Sequence, residues 1–156
     1  MHHLPFLMVS AFLLYVQATL AGMTDFCPDI GPVLAVYLGL FARRDRVATA
    51  ACFLGLLRGA LDFEPSAALI LLYFTVAQGC SFMREIVFTE RVATQFVVAF
   101  AGTALYTLLY HVLGVALPMG ALQSDSMMWP MAAATISATV FAPPLISLMR
   151  VLRIGP

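Results

Sequence analysis

Apolar residues run along this chain in long stretches, and charged residues gather in the short gaps between them. A helix that crosses a bilayer needs about 20 mostly apolar residues. Six segments meet or approach that length: 4–22, 29–42, 47–63, 66–85, 92–117 and 128–152. The second and third are short. They are separated by "RRDR" at 43–46 and bounded on their far sides by acids and prolines. This pattern predicts a tight helical hairpin rather than one long helix, because Arg43, Asp45 and Arg46 would be costly at the centre of a bilayer. Pro65 is expected to start the fourth helix.

Composition fixes the class. Hydrophobic residues make up 62% of the chain and charged residues 10%, where a soluble domain carries roughly 25% charge. The expected fold is all-α and integral to the membrane, with six transmembrane helices. Residues 1–156 are expected to form a single polytopic membrane domain with no soluble domain. The first segment has the length of a signal peptide, and "ATLAG" offers small residues for cleavage. No Arg or Lys precedes it, so it is expected to remain as the first helix.

Charge gives the orientation. There is no Lys, and seven of the eight Arg fall at alternate ends of the segments: Arg43, Arg44, Arg46, Arg84, Arg91, Arg150 and Arg153. Arg58 stands alone at the other ends, with Asp25, Asp29, Asp62, Glu64 and Asp125. Positive charge collects on the cytoplasmic side, so a multi-pass protein with both termini cytoplasmic is expected. Trp129 opens the last segment on the outer side, where an interfacial Trp belongs.

Lipid gives no hydrophobic drive for helix association, so close packing needs small residues. Gly31, Ala35 and Gly39 form one stripe, Ala51, Gly55 and Gly59 a second, and Ala134, Ala138 and Ala142 a third. The first two are expected to pack the hairpin internally. The third is expected to face helix one or the span of a partner. Pro143 and Pro144 remove backbone donors and are expected to bend or break the sixth helix, leaving Arg150 and Arg153 along the inner surface.

Candidate chemistry is sparse. Cys27, Cys52 and Cys80 are widely spaced without a metal-binding pattern, so no metal site is expected. His111 has no acid nearby in sequence and is read as a packed or interfacial residue. Gln17, Gln78 and Gln95 suit hydrogen bonding between helices, or a small-molecule pocket. No catalytic set, cofactor motif or nucleic-acid patch is present, and an enzyme is not expected. Arg58 sits one turn before Asp62, so the two can meet on one face, and Asp29 across the hairpin is a second possible acceptor. This predicts a structural clamp. The sharper alternative leaves Glu64 to receive a basic group from a periplasmic partner.

Two stretches resemble a known family. "CPDIGPVLAVYLGLF" at 27–41 is similar to the second helix of the bacterial MreD family, the rod-shape-determining membrane proteins. That helix follows a Pro-Asp pair, here Pro28 and Asp29, and runs to an aromatic and a basic loop. "FLGLLRGALDFEPSAALILLYF" resembles the stretch after it, with Gly55 and Pro65 in the family's spacing. The likeness covers under a third of the chain. Gly59 stands where the family has an Asp, and the acid is displaced to Asp62.

The resemblance implies a fold similar to the substrate-binding subunits of energy-coupling-factor vitamin transporters. It also implies a non-catalytic scaffold in the bacterial inner membrane that helps organise peptidoglycan synthesis and cell shape. The implied partners are an MreC-like single-span protein and, in a larger assembly, MreB and RodA with its penicillin-binding partner. The alternative is a substrate-binding subunit of a transporter of the energy-coupling-factor type. Such subunits carry an Ala-xxx-Ala pair on helix one, where this chain has Ala18 and Gly22.

Overall fold

The computed structural model describes residues 3–21, 29–62, 65–84, 92–116 and 128–151. Among them are six helices and no strand: α1 (His3–Ala21), α2 (Ile30–Phe41), α3 (Arg44–Asp62), α4 (Ser66–Met83), α5 (Val92–Ala116) and α6 (Met128–Val151). The helix count and order agree with the hydrophobic pattern. The start of α3 moves forward by three residues, which draws Arg44, Asp45 and Arg46 into its first turn. By length and hydropathy, α4 and the stretch Ala93–Gly114 of α5 are long and apolar enough to cross a membrane. The others reach that standard over shorter lengths, or not at all, for identifiable reasons. With 12 residues, α2 is about 18 Å long, while α3 carries charge in its first turn and again at Arg58.

Local chemistry sets the helix ends. Asp29 caps α2: its backbone is extended and its carboxylate accepts from the Gly31 N–H at 3.1 Å. Pro32 falls in the first turn, where a missing N–H costs nothing. Ala42 closes the helix by donating to the Leu38 carbonyl at 2.9 Å. One residue later the Arg43 carbonyl accepts from Arg46 and Val47 and opens α3. Pro65 caps α4 with its carbonyl, which accepts from Ala68 at 3.0 Å.

The hub of the bundle is α2. It touches each of the other five helices, and every residue from Gly31 to Leu40 is buried. Around it the neighbours follow in the order α1, α3, α4, α5, α6, and α6 does not meet α1 among the described residues. The two glycine stripes of the hairpin both converge on α4. A Cβ at Gly39 would strike the Ala77 carbonyl and the Cys80 side chain, and one at Gly55 would lie 2.6 Å from the Ile70 Cα. The stripes therefore pack the hairpin inside the molecule, but against a third helix rather than against each other.

For α6, the stripe's expected facing needs correction, and of the expected bend or break the break does not occur. Ala138 and Ala142 are buried in the core, and α6 packs on α2 and α5. Their small side chains serve the chain's own packing, so this part of the stripe faces neither helix one nor a free surface. The side chain of Ala134 lies outside the description. Pro143 and Pro144 do not break the helix, which continues through them to Val151. Proline is tolerated in apolar helices where neighbouring helices and hydroxyl side chains re-satisfy freed backbone groups. Pro143 is buried and Pro144 is exposed, and the carbonyls that their missing N–H groups leave free are those of Thr139 and Val140. The side chains of Arg150 and Trp129, and all of Arg153, lie outside the description.

Candidate functional site

Polar side chains from three helices meet where α1 and α3 end and α2 begins. Gln17 is buried near the end of α1. Its Nε2 donates to Asp29 Oδ1 at 3.1 Å, and its Oε1 accepts from the Ile30 N–H at 3.0 Å. One amide thus ties α1 to both the cap and the first amide of α2. Asp29 Oδ1 also lies 3.6 Å from Arg58 Nη1 of α3, with side-chain exposures of 25% and 15%. That exposure is low enough for the pairing to matter. Exposed ion pairs contribute about 0–1 kcal/mol, while removing one partner of a buried pair costs about 3–5 kcal/mol.

A row of tyrosines continues the junction. Tyr73 of α4 is fully buried, and its hydroxyl fills the space that a side chain at Gly31 would need. Its ring lies 5.3 Å from that of Tyr106, which in turn stacks on Tyr110 at 5.8 Å. The junction therefore reaches from α1 to α5, with the start of α2 at its centre.

Of the two acceptors expected for Arg58, the structure brings Asp29 to it. Asp62 ends α3, and its side chain lies outside the description. Pro28 and Glu64 also fall outside the described residues, as does the idea of Glu64 as a free acceptor. His111 is exposed on α5 beside a groove of about 400 Å³ between α5 and α6, lined by Phe100, Thr107, Leu108, Thr135 and Ile136 among others.

No protein-family model, curated protein or solved structure matches this chain. What the junction can do follows from its own chemistry. An amide and a guanidinium both meet one carboxylate, and each of the three is positioned by a different element. Such an arrangement fixes where three helix ends sit relative to one another. Among the described residues no group of three His, Cys, Asp or Glu side chains could hold a metal ion.

The opposite end of the bundle is held by arginines. Arg84, at the end of α4, donates to the Ala42 carbonyl at 2.6 Å and satisfies the end of α2. Arg44 lies over the Phe82 ring at 5.0 Å. Asp45 is 3.5 Å from Arg43 and 3.9 Å from Arg46.

Sequence reasoning missed one polar contact altogether. Thr107 meets Thr135 at 2.8 Å and Thr103 meets Thr139 at 3.3 Å, which forms two rungs between α5 and α6. The signal was present: both pairs are four apart, so each lies on one face of its helix. Tyr73 and Tyr106 were also missed, and no local pattern marks them.

Proposed function

We propose that this chain is a six-span, non-catalytic scaffold of the MreD kind in a bacterial inner membrane, with both termini cytoplasmic. In this reading it holds an MreC-like single-span partner and helps to organise peptidoglycan synthesis during cell elongation, with MreB and RodA in the wider assembly. The observation that carries the reading is the position of the MreD-like stretch. Asp29 of its Pro-Asp pair anchors the junction, and the apolar run after it is the buried hub. Gly55, in the second similar stretch, makes the close approach of α3 to α4.

The outer surface supports a membrane setting. Met8, Phe12 and Tyr15 on α1, Val97 and Phe100 on α5, and Val140 and Phe141 on α6 are all exposed. Helices that are apolar on both their inner and outer faces belong in lipid. Those outer faces are what a scaffold of helices has to offer a partner's span. The transporter alternative would draw on the groove between α5 and α6, whose lining is mostly apolar.

Co-purification in mild detergent, followed by mass spectrometry, tests the proposal. A single-span protein of the cell-elongation machinery should be recovered with the chain. Recovery of an ATPase-bearing transport module in its place would refute the scaffold reading.

A further inference from the structure

At the arginine end of the bundle, a cavity of about 210 Å³ lies between α1 and α3. Leu7, Arg46, Thr49, Ala50 and Phe53 line it. The four α3 residues recur every three to four positions, so they form one face of the helix. From Arg46 to Phe53 that face descends about 10 Å, and Leu7 of α1 lies across from it. Along the helix the lining runs from a guanidinium to a hydroxyl, a methyl group and an aromatic ring. An apolar cavity of about 150 Å³ is enough to admit benzene, so this one has room for several methylene groups.

The end of the bundle that holds the cavity is basic. Arg43 is exposed three residues before Arg46, and at the same end of the bundle Arg44 lies over the Phe82 ring and Arg84 donates to the Ala42 carbonyl. The first turn of α3 adds the positive end of a helix dipole. Asp45 opposes this field, but its side chain is 62% exposed and its contacts with Arg43 and Arg46 are longer than hydrogen bonds.

We propose that this cavity is a binding site for an anionic phospholipid of the adjoining leaflet. The phosphate sits on Arg46, and one acyl chain enters between Leu7, Ala50 and Phe53. A choline headgroup would bring its own cation to the Arg46 guanidinium at an arginine-rich end of the bundle, so charge favours a headgroup with a net negative charge. Basic recesses between membrane helices on the cytoplasmic side recognise anionic headgroups in this way. The proposal rests on the six-span reading, which places α1 and α3 in the bilayer.

Native mass spectrometry of the detergent-purified protein tests it, with phosphatidylglycerol and phosphatidylcholine of the same acyl chains as probes. The wild type should retain phosphatidylglycerol in preference. Arg46→Ala should lower that retention about fivefold, the equivalent of about 1 kcal/mol for one basic side chain near an anionic surface. Arg46→Lys should keep most of it. Arg43→Ala, at an exposed position outside the lining, should lower it less. Thr49→Leu, also exposed, should lower it without changing charge by filling the groove.

Equal retention of the two lipids would overturn the site. So would equal losses in Arg43→Ala and Arg46→Ala, which would mean a diffuse field, or displacement of the lipid by inorganic phosphate alone. Incorporation into phosphatidylcholine nanodiscs reads the membrane assignment separately. A chain that incorporates yet shows no lipid preference overturns the lipid site alone, and one that fails to incorporate overturns both.

Discussion

Asp29 does two jobs with one oxygen. Its Oδ1 accepts from the Gly31 backbone and from Gln17, and it faces Arg58. The jobs separate by substitution. Asn caps a helix about as well as Asp, so Asp29→Asn should keep the cap and lose the charge opposite Arg58. Asp29→Ala loses both. The expected costs are about 1–2 kcal/mol for Asn and about 2–4 kcal/mol for Ala, read from thermal unfolding in detergent. Equal losses would mean that the cap contributes nothing, and an Asn variant as stable as the wild type would mean that the charge contributes nothing. Arg58→Glu should destabilise at least as much as Asp29→Asn, because it puts a second carboxylate beside Asp29. Sequence alone narrowed the partner of Arg58 to two acids, since helical spacing and a short hairpin are both local constraints. Tyr73 and Tyr106 were not legible, because their place in the junction depends on how α4 and α5 approach α2.

Among the helices, identical chemical changes should have opposite effects at two glycines. A Cβ at Gly79 of α4 meets nothing within 4 Å, whereas one at Gly55 of α3 runs into the backbone of Ile70. Gly79→Ala should therefore stabilise by about 0.5–1 kcal/mol through helix propensity. Gly55→Ala should destabilise by about 1–3 kcal/mol through overpacking. Thermal unfolding of the two variants side by side decides it, and the same sign in both would contradict the packing described for α3 and α4. Between α5 and α6, Thr107→Val and Thr135→Val should each cost about 0.6 kcal/mol, the average for hydrogen bonds between membrane helices. The double variant should cost less than the sum, because one contact is lost in both. The spacing of the small residues revealed which faces pack closely. It did not reveal that both hairpin stripes would choose α4, because a stripe carries no address. The continuity of α6 through Pro143 and Pro144 was also hidden, since proline rules drawn from isolated helices omit the neighbours that re-satisfy the backbone.

For the whole molecule, hydrophobic pattern gave six helices in the right order, with ends displaced by no more than three residues. The role of α2 as hub was foreshadowed by its nearly unbroken apolar run but not by its length. A helix of about 18 Å is short for a hydrocarbon core of about 30 Å, and α2 is sheathed by the other helices rather than by lipid. The central claim is that all six helices cross the membrane, with the other seven arginines inside and the Asp29–Arg58 junction outside. Alkaline phosphatase, which is active only outside the cytoplasm, can be fused in turn after Asp25, Arg43, Glu64, Glu90, Asp125 and Pro156. The account predicts high activity after Asp25, Glu64 and Asp125, and low activity after Arg43, Glu90 and Pro156. Equal activity after Asp25 and Arg43, or after Asp125 and Pro156, would contradict it.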